Sequence, residues 1–103
     1  MQAHALHGLK VLEFGQDIPA AYCARQFAVW GAEVAMLEPA GGHPLRKRSP
    51  RVGETSLLWE YVAAGKSSLS LEAACPDAQG FLDLVAGADV LVIDHAETRL
   101  ARF

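Results

Sequence analysis

Residues 10–38 read KVLEFGQDIPAAYCARQFAVWGAEVAMLE, and this stretch decides the fold. Lys10-Val-Leu-Glu-Phe-Gly15 alternates, with Val11 and Glu13 on one side and Leu12 and Phe14 on the other. It ends in glycine and reads as a strand. Ile18 to Trp30 is rich in alanine and carries Ile18, Tyr22, Cys23, Phe27 and Trp30 at helical spacing. Pro19 fits a helix's first turn, where a missing N–H is harmless. Asp17 is placed to cap it and Gly31 to end it. Glu33-Val-Ala-Met-Leu-Glu38 is a second strand, stopped by Pro39 and the Gly41-Gly42 pair. Strand, helix and strand with short connections make a βαβ unit, so the two strands should be parallel with a right-handed crossover.

The rest of the chain extends that unit. Residues 39–56 are rich in Gly, Pro and Arg and read as a loop. Leu57 to Ala64 predicts a short helix ending at Gly65. Ser68-Leu-Ser-Leu-Glu72 alternates and predicts a third strand near an edge. Pro76 opens a helix running to about Ala86, closed by Gly87. Ala88-Asp-Val-Leu-Val-Ile-Asp94 is nearly all apolar, which suits a central strand covered on both faces. Thr98 to Phe103 reads as a short helix or a frayed end. The sum is an α/β fold: an open, mainly parallel sheet of about four strands with flanking helices. Ligands bind such sheets at the carboxyl ends of the strands, here Phe14 to Asp17, Glu38 to Gly42, Glu72, and Asp94 to Ala96.

With 103 residues, the chain has room for one small domain spanning residues 1–103. It is 51% hydrophobic with mixed charges, which excludes a disordered chain. No apolar run reaches the ~20 residues that span a bilayer, and Met1 to Lys10 lacks the apolar core of a leader, so no membrane partner and a cytoplasmic location are expected. A net charge of -3 argues against a nucleic-acid partner. Arg46, Lys47, Arg48 and Arg51 nevertheless place four cations in six residues. Such a run is a solvated loop or an anion-binding element. Cys23 and Cys75 form no CxxC pair and read as reduced thiols, buried or half-buried. His4, His7, His43 and His95 share no metal-ligand spacing, so no metal is expected. His43, among glycines, reads as an exposed loop residue, and Glu38 as a solvated strand end.

Two phosphate-binding signatures fail on inspection. The first turn holds only Gly15 of a GxGxxG fingerprint, so an ordinary NAD or FAD site is not expected. Gly65-Lys66-Ser67 matches the end of a Walker A loop, but Glu60 stands where its first glycine belongs and Lys66 leads into a strand instead of a helix.

Several segments in order resemble one family. Gly8-Leu-Lys-Val-Leu-Glu-Phe-Gly15, Ala24-Arg25, Trp30-Gly-Ala-Glu-Val34 and Glu38-Pro-Ala-Gly-Gly42 with Pro44-Leu-Arg46 are similar to the N-terminus of the family III CoA-transferases (the CaiB/BaiF family, with the α-methylacyl-CoA racemases). Gly65-Lys66-Ser-Ser-Leu-Ser-Leu71, the helix after Pro76 and Ala88-Asp-Val-Leu-Val92 continue the match, which covers residues 8 to 95. The resemblance implies a Rossmann-like domain that binds coenzyme A or an acyl-CoA as substrate. It implies CoA contacts at Gln16, Asp17, the loop after Glu38, Lys66, Asp94 and His95, with Arg46 in the basic run adding charge. It also implies that the aspartate carrying the acyl group lies beyond the matched segment, so the chain is not expected to catalyse acyl transfer alone, and no catalytic residue is assigned.

Departures from the family pattern bear on the ligand. Pro19-Ala20-Ala21 stands for the family's Ala-Gly-Pro, Met36 for a lysine, and Val62-Ala63-Ala64 lacks its asparagine. Asp94-His95-Ala96-Glu97-Thr98 replaces Asn-Phe-Arg-Pro-Gly, losing an arginine and gaining acid. The alternative expectation is therefore a degenerate, non-enzymatic interaction or dimerisation module. Either reading expects a homo-oligomer or a partner chain that completes the fold.

Overall fold

The computed structural model describes residues 5–101 and 103. Strand β1 (Lys10–Phe14) leads into helix α1 (Ile18–Val29) and strand β2 (Glu33–Glu38). The stretch read as loop contains a 3-10 turn (Pro44–Lys47) and an antiparallel ribbon of β3 (Arg51–Val52) and β4 (Thr55–Ser56). Helix α2 (Leu57–Ala63), strand β5 (Lys66–Ser70), the single turn α3 (Leu71–Ala74), α4 (Ala78–Ala86), β6 (Val90–Ile93) and α5 (Ala96–Leu100) follow. β1, β2, β5 and β6 form a parallel four-stranded sheet in the order β5-β2-β1-β6. The open α/β architecture is therefore the one the βαβ unit predicts.

Local chemistry accounts for the boundaries. The Asp17 carboxylate accepts the Ile18 N–H at 2.8 Å and caps α1, with Pro19 in its first turn. Gly31 takes φ +96°, a left-handed conformation that lets β2 begin at once. Asp77 caps α4 by accepting the Gly80 N–H at 2.9 Å. The third strand runs over Lys66–Ser70, two residues earlier than its alternation suggests. The Ser70 hydroxyl accepts the Ala73 N–H at 3.3 Å and turns Leu71 and Glu72 into α3, so Glu72 is not a strand tip.

Strand alternation sorts the core onto two faces. Val11, Val34 and Val92 pack with Ala20 and Ala24 of α1. On the same face, Met36 packs with Ala21, Leu45, Trp59 and Val62, which bring α2 and the 3-10 turn onto the sheet. Leu12, Phe14 and Leu37 point the other way, against Leu71, Cys75 and Phe81. Phe103 closes that side, its ring 4.8 Å from Phe81 and 6.2 Å from Phe14.

Three expectations need correction. β6 is an edge strand, paired only with β1 among the described residues. Its apolar run reflects cover on both faces, by α1 against Val90 and Val92 and by α4 against Leu91 and Ile93. Composition reports face cover and not position in the strand order. Cys23 is exposed while Cys75 is buried, and neither is in a disulfide. The larger residues that give α1 its apolar spacing, Ile18 and Tyr22, turn outward, while Ala20, Ala21 and Ala24 face the sheet. Small residues there let the helix lie close on the strands.

One polar contact crosses the apolar face. Lys66, level with Val34 in the β2–β5 register, reaches over β2 to Glu13 on β1. Its Nζ lies 2.7 Å from Glu13 Oε1 and 2.9 Å from the Ala21 carbonyl oxygen, and both side chains are 1% exposed. Removing one member of such a pair strands the other's charge. Lys66→Met is expected to lower stability by about 3–5 kcal/mol in urea unfolding. Replacing both, Lys66→Met with Glu13→Leu, should recover most of that loss.

Candidate functional site

The strand order places a topological switch point between β1 and β6. The chain moves outward from β1 through β2 to β5, then returns to the far side of β1. The crevice at the carboxyl ends of those two strands is where open α/β sheets take ligands. It holds Gln16 and Asp17 from the turn after β1, and Asp94 and His95 from the turn after β6. The Asp94 carboxylate accepts the Gln16 N–H with Oδ1 and the Asp17 N–H with Oδ2, each at 3.0 Å. Gly15 makes this approach possible: a Cβ there would lie 2.6 Å from the Ala20 Cβ and 2.9 Å from Asp94 Oδ2. His95, with φ +49°, brings Nε2 within 3.8 Å of Asp17 Oδ2, and Arg48 lies 4.0 Å from the other oxygen.

Four of the six residues singled out in the sequence thus converge, and two do not join them. Lys66 is spent on Glu13 beneath α1, with no side-chain surface to offer a ligand. Arg46 grips Glu38 with two bonds, Nε and Nη2 to the two carboxylate oxygens, each 2.7 Å. Asp94 occupies the N–H groups of Gln16 and Asp17, just ahead of α1.

Glu38 is a buried hub and not the solvated strand end its position suggests. Besides Arg46, it accepts the Ser68 hydroxyl at 2.6 Å and the His43 N–H at 2.8 Å. These bonds, led by Arg46, hold its carboxyl well below the usual range, at about 2. Gly42 sits in the left-handed region, and a Cβ there would approach the Arg46 Cδ to 2.9 Å. His43 is likewise buried, correcting the exposed-loop reading. Its Nδ1 accepts the Leu45 N–H at 3.1 Å, and its ring lies 5.1 Å from Trp59. Burial pushes its pKa down, consistent with a neutral ring capping the 3-10 turn. Arg46 also lies over the Trp59 ring, 4.5 Å from its centroid. Of the basic run, Arg46 belongs to this hub and Arg48 leans on Asp17.

Glu13 and Glu38 share the α1 face of the sheet, yet their pKa values shift in opposite directions. Burial pushes the Glu13 carboxyl up, against the pull of Lys66. The sequence does carry a signal for Glu13, since alternation puts it beside Val11. Nothing local in the sequence marks His43 or Ser68 as Glu38's partners.

A cavity of about 330 Å³ lies beside the hub, lined by Arg46, Lys47, Ser56, Trp59 and Glu60 among others. A second, about 360 Å³, lies toward the opposite strand ends, over Leu12, Ala35 and Leu69. Among the described residues no cluster of His, Cys, Asp or Glu is placed to hold a metal, and no helix is long and apolar enough to cross a membrane. His4 lies outside the described residues.

The family model for CoA-transferase family III matches residues 6–103. The chain belongs to CoA-transferase family III. It is 34% identical over 105 residues to the succinyl-CoA:mesaconate CoA-transferase of Haloarcula hispanica, covering 96% of this chain and 26% of that protein. It is also 34% identical over 89 residues to the succinyl-CoA–L-malate CoA-transferase beta subunit of Chloroflexus aurantiacus, covering 84% of this chain and 22% of that one. A crystal structure of a CaiB/BaiF family protein from Brucella suis superposes with a TM-score of 0.73 at 25% identity, over 89% of this chain and 26% of that one. The chain spans about a quarter of the length of these family III proteins.

The hub makes a pH prediction. A carboxyl that titrates near 4.5 when unfolded and near 2 when folded contributes stability that is fully present above pH 4.5. That contribution is lost as pH falls toward 2. Glu38→Gln is therefore expected to flatten the stability profile across this window, and to cost about 2–3 kcal/mol at neutral pH. Urea unfolding of both proteins at a series of acidic pH values measures the difference.

Proposed function

We propose that this chain is the CoA-recognition domain of a family III CoA-transferase. On this reading residues 1–103 form one domain that binds coenzyme A or an acyl-CoA in the crevice between β1 and β6. Gln16, Asp17, Asp94 and His95 meet the ligand. Lys66 and Arg46 act from behind, by fixing α1 and the loop after β2. The observation that carries the reading is the convergence of those four residues at the topological switch point, in a chain of this family. Acyl transfer itself requires polypeptide beyond this segment, contributed in the same protein or by a partner chain. Neither cysteine is in a disulfide and Cys23 is exposed, which suits the reducing cytoplasm, where we place the protein.

A second reading, a non-enzymatic interaction module, draws on one specific feature. The Asp94 carboxylate already fills the N–H pair that a CoA phosphate would use. Under the leading reading that contact weakens CoA and does not abolish it.

Isothermal titration separates the two. CoA is expected to give saturable heat with the wild-type chain, weaker heat with His95→Ala, and about tenfold tighter binding with Asp94→Ala, a gain of ~1.4 kcal/mol. Absence of heat at millimolar CoA in both the wild type and Asp94→Ala would leave the interaction module standing. ATP and NAD, run alongside, test for a general nucleotide site.

A further inference from the structure

We infer that Glu13 and His43 are the two ends of an internal site for one neutral donor–acceptor molecule, a single water, on the α1 face of the sheet. Three described side-chain atoms are buried without a hydrogen-bond partner, and two of them are Glu13 Oε2 and His43 Nε2. The third belongs to Arg99 on α5. Glu13 and His43 are almost wholly enclosed, at 1% and 2% exposure. Polar groups this deep in a fold are bonded to protein or to ordered water, because a bare one keeps the full cost of leaving solvent.

Each of the two atoms is aimed by the bonds its own residue already makes. The His43 backbone N–H donates to Glu38 Oε2, its Nδ1 accepts the Leu45 N–H, and its ring rests on Trp59. In a neutral ring whose Nδ1 accepts, the proton is on Nε2, so Nε2 is a donor. Lys66 Nζ holds Glu13 Oε1 at 2.7 Å, which leaves Oε2 as an acceptor. The surroundings bring the two together. Glu13 stands opposite Met36 in the β1–β2 register, and Met36 packs in one cluster with the Trp59 that carries the His43 ring. The charges of Lys66, Asp94 and Glu38 act on Glu13 and His43 alike.

Chemistry chooses the occupant. A metal ion needs a bare ring nitrogen, and here Nδ1 is engaged by Leu45 while Nε2 carries the proton. An ammonium has no lone pair to accept the ring N–H. An anion would face the carboxylates of Glu13 and Glu38. What fits is a neutral group that accepts from Nε2 and donates to Oε2, and the enclosure selects the smallest, water, which is held by roughly two to four polar partners when buried. The site also joins two polar centres. From Lys66 and Glu13 the bonds run through the water to His43, then through the His43 N–H to Glu38 and Arg46. Strands β5, β1 and β2 and the loop after β2 thereby share one hydrogen-bonded chain.

None of the four crevice residues is a partner in this site, so its test is independent of CoA. Nitrogen-15 NMR of the wild-type chain at neutral pH should show the His43 ring protonated on Nε2 and bare on Nδ1. The Nε2 proton should exchange slowly and give a cross-peak to a bound water; His43→Asn, whose side-chain oxygen can still accept the Leu45 N–H, identifies the signal by removing it. Glu13→Gln, which keeps an oxygen for Lys66, should speed exchange of that proton at least tenfold (~1.4 kcal/mol of protection). In a crystal structure of the wild type, one ordered water should lie within hydrogen-bond distance of both atoms. A ring protonated on Nδ1 would overturn the inference, as would a ring proton in fast exchange or a crystal structure in which no single water touches both atoms. The two wild-type measurements decide the matter even if Glu13→Gln does not fold.

Discussion

The buried contact between Lys66 and Glu13 constrains more of this structure than any other pair. It joins an edge strand to the central strand across the one between them, and its third partner, the Ala21 carbonyl, belongs to α1. Taking two charges out of water is costly, and only close geometry with further hydrogen bonds offsets it. The ammonium is well served by two acceptors. The carboxylate is less so, since Glu13 Oε2 is buried without a hydrogen-bond partner among the described residues. The pair therefore specifies geometry more than it adds stability. A slip of β5 by one residue would turn Lys66 to the other face and leave Glu13 stranded. By holding the first turns of α1 against the sheet, the same contact fixes where the crevice lies relative to β1.

A second polar centre sits on the same face, and the contrast between the two is set by surroundings. Glu13 has one cation and mostly apolar neighbours, so burial dominates and raises its pKa. Glu38 has a bidentate arginine, a hydroxyl and a backbone N–H, so hydrogen bonding dominates and lowers it. One carboxylate locks strands together. The other locks a loop onto a strand tip, with His43 and Trp59 packed beneath it. Together they tie β1, β2, β5, α1 and the loop after β2 to one another on the α1 face of the sheet.

Most of the architecture was legible because it depends on local rules. Asp17, Pro19 and Gly31 delimit α1 by capping chemistry alone, and alternation in residues 10–14 and 33–38 marks the two central strands. What escaped depends on contacts between distant residues. Glu38 looks like a strand end until Arg46 and Ser68, eight and thirty residues on, are seen to meet it. His43 looks like a loop residue until its ring is found against Trp59. Lys66 looks like a ligand contact because its family position is retained, yet a retained lysine can equally be a fixed internal partner. Position in the sheet was misread for β6 because an apolar strand covered on both faces has the same composition at an edge as at the centre.

The candidate site was legible as a place and less so as chemistry. Strand order alone locates the crevice, and the turns after the first and last strands of the sheet, which hold its four residues, are visible in the sequence. Their mutual arrangement was not foreseeable. An acid on the turn after β6 looks, residue by residue, like a group that repels a phosphate from across a gap. In the fold it accepts the Gln16 and Asp17 N–H groups and ties the turn after β6 to the turn after β1. The consequence differs in kind: repulsion at a distance is screened by salt, whereas two direct hydrogen bonds to backbone N–H groups are screened much less. Asp94 thus holds together the two turns that border the crevice.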